Sequence, residues 1–308
     1  MLIRDYKMTV GKNQDLDVFT YKSASFTKKL PTCVLKLEDL KRIFEVLKES
    51  VREAADLEVK SLRQAKDQSE KEFKAIIDYA KDLFVVRVVI ISAKEEYLQT
   101  DSPDVFDQNK LPPVINQVIF DTSLKYKALE QNRFPLNWIR VTFDFAGQVR
   151  IFDFRTAPTV ETPNNSLIEV GGTSETWVRG TSKRVLDVLG DRRSKRGWLH
   201  KHSIYTILIW LFVMPLSIFY THRIEMHYSA CFREYMLLGF ALYLYFVLTI
   251  CNIFMILFNY ARWIFPYAEL EGYSPSKCRA HRYILGALFL SIVSGFLYDF
   301  VKFLLQKA

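Results

Sequence analysis

Four polar residues interrupt the most apolar stretch of the chain. Between Tyr235 and Tyr260, where no Lys, Arg, Asp or Glu occurs, Tyr245, Thr249, Asn252 and Asn259 recur at intervals that a helix gathers on one face, with Ile256 among them. Hydroxyl and carboxamide groups in hydrocarbon are costly unless they bond a neighbouring helix or meet water. Two chemistries therefore fit: interhelical hydrogen bonds, or the lining of a water-filled path. Two or three helices cannot enclose a path alone, so the second requires several copies of the chain. In the apolar run before it, Pro215 removes a backbone donor and loosens the helix, a place for a gating bend or an ordinary packing feature.

The other candidates read as structural. Asp101, Asp104 and Asp107 share a loop but lack the order of a calcium-binding loop. Asp144 and Asp153, in a repeated Phe-Asp-Phe, resemble a pair of catalytic carboxylates. A hairpin turning at Ala146-Gly147 would instead oppose Arg140 to Asp153, or Asp144 to Arg150 after one residue of slip, which is ordinary cross-strand pairing. His200 and His202, and His222 and His227, have no third ligand nearby. Cys33, Cys231, Cys251 and Cys278 fall at no metal-ligand spacing and fit a reducing compartment. No glycine-rich phosphate loop, nucleophile elbow or His-Glu-x-x-His occurs, so neither an enzyme nor a cofactor is expected.

What must position the polar stripe is a pair of membrane spans. Ser203 to Tyr220 and Tyr235 to Tyr260 are uncharged and reach the roughly 20 residues that cross a ~30 Å hydrocarbon layer. Tyr283 to Tyr298 is shorter. It reads as a third span over 283–305 or as an interfacial helix, and Ser291 and Gly295 offer a small-xxx-small face for close helix contact. The 308-residue chain has a net charge of +8, from 42 basic and 34 acidic residues. A balance of that size suits loops facing anionic lipid and does not by itself indicate nucleic acid. Lys183, Arg184, Arg192, Arg193, Lys195 and Arg196 precede the first run, with 191–202 forming a basic juxtamembrane collar. The positive-inside rule then places residues 1–202, the 1–190 domain and the collar together, and the loop 261–282 in the cytoplasm. The opening residues contain no apolar core of a signal peptide.

The front region reads as an α+β domain, an antiparallel sheet with a long helical layer. From Asp39 to about Lys81 strong helix formers dominate, and Leu40, Phe44, Leu47, Val51 and Ala54 step as a helix stripe does. One helix of that length would reach about 60 Å, so it either folds back as a hairpin or projects towards a partner or a second copy. Strands are expected at Cys33–Leu37, Leu83–Ser92, Val114–Phe120, Trp138–Phe145, Gln148–Arg155 and Leu167–Val170, and a helix at Ser182–Leu189.

The runs PLNWIRVTFDF and TPNNSLIEVGG, Trp177-Val178, RRSKRGWLH and, after the second apolar run, Phe265-Pro266 with Glu269, Gly272, Arg279 and Arg282 carry a resemblance. Over roughly residues 83–305 the chain resembles a widespread set of bacterial membrane proteins, some of them effectors of antiphage systems such as Hailong. The resemblance implies a homo-oligomeric channel that depolarises the inner membrane. It would be held shut by short DNA oligomers from a partner nucleotidyltransferase. It names no ligand-binding residues. The alternative expectation is a membrane-anchored scaffold whose long helix recruits a partner.

Overall fold

The computed structural model describes residues 4–6, 21–62, 64, 68–107, 111–130, 134–146, 149–152, 158–159, 161–227, 236–273, 278, 280–287, 290–291, 294–295 and 297–298. The chain forms two interleaved compact units. The first takes in residues 1–147, 164–195 and 267–273, and the second 148–163, 196–266 and 274–308. The sequence reading expects one unbroken front domain. The structure instead returns 267–273 to the first unit and assigns 148–163 to the second.

Alternation of apolar and polar side chains builds the sheet of the first unit. Its strands are β1 (Arg4–Tyr6), β2 (Tyr21–Lys29), β4 (Arg87–Ser92), β5 (Tyr97–Thr100), β6 (Ile115–Asp121), β7 (Trp138–Asp144) and β8 (Leu167–Gly172). Their spatial order is β1-β2-β8-β7-β6-β4-β5, antiparallel at every pairing. Val88, Ile90, Val118, Phe120, Ile139, Val141, Phe143, Ile168 and Val170 are all fully buried. Helices α1 (Leu37–Ser61) and α4 (Glu175–Gly190) contribute to the same core. From α1 come Leu40, Ile43, Phe44, Leu47 and Val51, one stripe of a 3.6-residue period, and from α4 come Trp177, Val178, Val185 and Leu189. The fold is thus the expected α+β class with an antiparallel sheet.

The residues that carry the resemblance pack this unit. A Cβ on Gly171 would lie 2.5 Å from Trp138 Nε1, and one on Gly172 only 2.8 Å from Asn137 Oδ1 and the Trp177 ring. The two glycines let β8 approach the indoles. Trp177 Nε1 donates to Ser50 O at 3.2 Å, tying α4 to α1.

Of the two forms open to the long helical stretch, the structure has the hairpin: α1 ends at Ser61, α2 (Glu70–Leu83) starts at the Ser69 cap with a capping box to Glu72, and Lys81 returns to within 3.5 Å of Asp56. No projecting rod remains to argue for an oligomer. Residues 149–152 are not a strand, and 153–157, with Asp153, lie outside the described residues. The Ala146-Gly147 hairpin does not form, because β6 and β8 already occupy both edges of β7. Arg140 accordingly meets buried Asp121 at 2.6 Å, and Asp144 accepts from Asn165 Nδ2 at 2.8 Å. The loop acids each have their own partner: Arg87 grips Asp101 at 2.7 and 3.0 Å, Asp104 and Ser102 bond within one turn, and Lys41 holds Asp107 at 2.7 Å.

A second, smaller sheet joins distant parts of the sequence. Strand β3 (Cys33–Leu35) pairs in parallel with β9 (Ala268–Leu270). On its other side, Ser194 N donates to Thr32 O at 2.8 Å and Val34 N to Arg192 O at 3.2 Å. The segment that leaves the first unit and the segment that re-enters it are therefore bonded to the same three residues. β3 runs directly into α1, whose Asp39 accepts from Lys36 N at 2.8 Å and from Arg192 Nε at 2.8 Å. Cys33 is buried beside Asp39, and burial first, then that carboxylate, pushes its thiol up to about 12, so it stays protonated and unreactive.

Asp39 is nearly buried (4% exposed) and caps α1 as well as pairing with Arg192. Replacing it removes both and leaves Arg192 half-buried without its carboxylate. Asp39→Ala is expected to cost about 2–4 kcal/mol, read as a fall in melting temperature of the purified chain. Arg42→Ala, which breaks an exposed 3.9 Å pair with Asp191, is expected to change stability by less than ~0.5 kcal/mol.

Candidate functional site

In the second unit, α5 (His202–Leu208), a π-helical turn (Ile209–Val213) and α6 (Met214–His227) continue one another, and α7 (Met236–Ile264) runs back alongside. Two helices, Ser203–Ile224 and Leu237–Ile264, are long and apolar enough to cross a membrane. Only 17% and 11% of their most apolar windows are buried, the reverse of a core helix in a soluble protein. The loop between them, with Cys231 and Arg233, lies outside the described residues.

The π turn has a local cause. Pro215 lacks the N–H that would bond the carbonyl four residues back, and its ring crowds that carbonyl. Widening the turn at Ile209–Val213 relieves the clash. The irregularity expected near Pro215 is a π turn on its N-terminal side.

The helices pack through small and aromatic side chains. Ser217 and Thr221 of α6 are buried, Cys251 Sγ lies 3.9 Å from Met214 Sδ, and Tyr205 packs on the rings of Phe254 and Phe258 at 5.7 and 5.3 Å. On α7 the packed face therefore includes Val247, Cys251, Phe254 and Phe258. At 100° per residue, the stripe of Tyr245, Thr249, Asn252 and Asn259 lies on roughly the opposite side of the helix. Tyr245 (63% exposed) and Asn252 are exposed, and Thr249 is half-exposed. The Thr249 hydroxyl donates to Tyr245 O at 2.7 Å and so is satisfied within its own helix. Asn252 makes no side-chain hydrogen bond to any described residue. Asn259 differs from the other three: it is buried (3% exposed), near the end of the helix. The first span therefore does not satisfy the exposed part of the stripe.

At that end lies a cluster that the sequence reading treats as unremarkable interfacial side chains. His200 is buried; its Nε2 is 2.8 Å from Phe265 O and its Nδ1 2.9 Å from Thr162 Oγ1. A carbonyl only accepts, so Nε2 carries the proton and donates, and Nδ1 accepts from the threonine. Arg262 donates from Nε to Leu199 O at 3.0 Å and from Nη2 to Lys201 O at 3.4 Å. Arg282 donates from Nε and Nη2 to Ile264 O at 3.1 and 2.9 Å. Arg196 and Arg282 both stack on Phe265, with guanidinium carbons 4.8 and 5.4 Å from the ring centre. Tyr260 Oη lies 2.7 Å from His281 Nδ1, and Trp263 meets the same imidazole edge-on. The signal in the sequence was a histidine inside an Arg- and Trp-rich run next to an apolar helix, which spacing rules for metal ligands pass over.

The proposed collar divides. Arg184 pairs with Glu53 at 2.9 Å and Arg192 with Asp39 at 2.8 Å, both within the first unit. Lys183, Arg193, Lys195 and Arg196 are exposed. Ser291 and Gly295 are helical and exposed, and among the described residues a Cβ on Gly295 would meet nothing within 4 Å. His222 is exposed, and the side chains of His202 and His227 lie outside the described residues. Among the described residues no cluster of His, Cys, Asp or Glu could hold a metal ion. No protein-family model, curated protein or solved structure matches the chain.

Burial, and the neighbouring Arg262, lower His200 to about 4 against the bond to Phe265. The unfolded imidazole titrates near 6.5, so between pH 6.5 and 4 the unfolded chain binds more protons. The stability that His200 supplies is then lost as pH falls through that window. His200→Gln is expected to flatten the fall in melting temperature between pH 6.5 and 4, as read by thermal denaturation in detergent.

Proposed function

We propose that this chain is a homo-oligomeric membrane effector. The two apolar helices cross a bilayer as a hairpin, and the α+β unit lies in the cytoplasm of a bacterial cell. Several copies bring their second spans together around an ion path. The observation that carries this reading is the stripe on α7. Tyr245 and Asn252 point away from the chain's own partner helix, where Asn252 needs another copy or water. The exposed face of Ser291 and Gly295 on the third apolar segment is a further surface for close contact between copies. The sidedness rests on the surplus of Lys and Arg before the first span.

On this reading a cytoplasmic ligand holds the path closed through its greater affinity for the closed form. The resemblance to antiphage effectors suggests an oligonucleotide from a partner nucleotidyltransferase and depolarisation of the inner membrane as the outcome. Affinity for such a ligand falls steeply with salt, because phosphate contacts release counterions.

A second reading has its own observation. On α2, Ile76 and Tyr79 are 44% and 50% exposed, and only Leu83 of the helix is buried. A membrane-anchored scaffold would recruit a partner on this face and use the spans only as a tether.

Asn252→Leu separates the two. The channel reading expects loss of ion flux from protein-loaded liposomes, and of toxicity in cells, with insertion and expression unchanged. The scaffold reading expects full function from Asn252→Leu, and also from the front unit carried on an unrelated membrane anchor.

A further inference from the structure

We infer that the cleft between α1 and α4 is a binding site for a compact aromatic carboxylate. A cavity of about 460 Å³ lies there, lined by Leu57 and Lys60 of α1 and by Thr176, Trp177 and Gly180 of α4. Small-molecule sites span roughly 300–1,000 Å³. Every lining residue belongs to the first unit, so the site does not depend on the two apolar helices crossing a bilayer.

Gly180 opens the cleft. It lies inside α4, where glycine weakens a helix relative to alanine. A Cβ there would meet nothing within 4 Å, so the cleft reaches the backbone of α4 at that position. Trp177, one turn earlier on the same side, and Leu57 give it an apolar wall. That wall is preset. Trp177 Nε1 donates to Ser50 O at 3.2 Å. Thr173 N, at the entry to α4, donates to Asn137 Oδ1 at 3.0 Å, and Asn137 Nδ2 donates at 3.4 Å to buried Glu58, next to Leu57. A fixed aromatic wall lowers the ordering cost of binding a ring.

The charges of the cleft leave a place for an anion. Glu53 and Asp56 also line it, but Arg184 holds the first at 2.9 Å and Lys81 the second at 3.5 Å. Glu175, in the first turn of α4, is held by Arg179 at 2.7 Å. Lys60 has no ion pair or hydrogen bond to any described residue, and neither the hydroxyl nor the N–H of Thr176 donates to one. Arg192, just past α4, meets Asp39 in the first turn of α1, and Arg184 meets Glu53 further along, so the two helices run in opposite directions. Lys60, near the end of α1, therefore lies towards the first turn of α4, whose positive dipole end adds to its charge. A carboxylate here meets a cation and donors without partners, whereas an ammonium finds no unpaired acid in the lining.

The test follows the melting temperature of the full chain in a neutral detergent, since a ligand that binds only the folded state raises it with concentration. The probes are 1-naphthoate, its uncharged isostere 1-naphthamide and inorganic phosphate. The expected result is a rise of several degrees with 1-naphthoate, a far smaller one with 1-naphthamide and none with inorganic phosphate. Gly180→Leu puts a side chain into the cleft; it should melt no lower than the unaltered chain and lose the rise. Lys60→Gln should leave the melting temperature unchanged and weaken 1-naphthoate by about tenfold. If Gly180→Leu does not fold, Lys60→Gln alone is read. No rise with 1-naphthoate, an equal rise with either of the other probes, or an undiminished rise in a folded variant would overturn the site.

Discussion

A three-residue strand constrains the whole chain. Cys33–Leu35 and the Thr32 before it are bonded on one side to Arg192 and Ser194 and on the other to Ala268–Leu270. These segments flank the helical hairpin in sequence. The 71 residues from 196 to 266 thus begin and end at one place in the first unit. The strand also feeds α1, whose first turn holds Arg192 through Asp39.

The constraint also explains the division of the basic residues. Arg184 and Arg192 look, in one dimension, like part of the run before the membrane. In three dimensions they secure α4 and its exit segment to α1. The charge at the base of the spans comes instead from residues far apart in sequence, Arg196, Arg262 and Arg282, organised by backbone carbonyls and aromatic rings. A count of Lys and Arg by position cannot separate these roles, because it carries no information about which acids have folded to meet them. Asp39 is 153 residues from Arg192.

The same limit marks what the sequence revealed of the fold. Local signals held: alternation placed Ile115–Asp121, Trp138–Asp144 and Leu167–Gly172, and the stripe from Leu40 to Val51 placed α1. The Ser69–Glu72 capping box was present to be read and would have broken the long helix in two. The mistaken hairpin at Ala146-Gly147 failed for a non-local reason. Turn chemistry proposed a neighbour for β7, but β6 and β8, one from each side of it in sequence, had taken both edges. The parallel pairing of β3 with β9 spans more than 230 residues and has no periodic signature. For the site, the helical spacing of Tyr245, Thr249, Asn252 and Asn259 puts them on one side of α7. The sequence could not show that this face turns away from α6, nor that Asn259 alone of the four is buried.

That orientation matters more than the presence of polar residues. A carboxamide facing its own hairpin partner would be a packing device. On the proposed membrane reading, a carboxamide facing outward at mid-span carries donors and acceptors that no described residue satisfies into a medium that offers none, at a cost of the order of 2–7 kcal/mol without compensation. On that reading each further copy would supply a partner for Asn252 and shelter for Tyr245, and closed and open assemblies would differ in whether copies or water supply those bonds. The π turn before Pro215 lies in the helix packed on the other side of α7, where its return to regular α-helix would rotate everything beyond it by about 100°. On the same reading, the exposed polar stripe on one helix and the π turn in the other are the two parts that a switch between those forms would use.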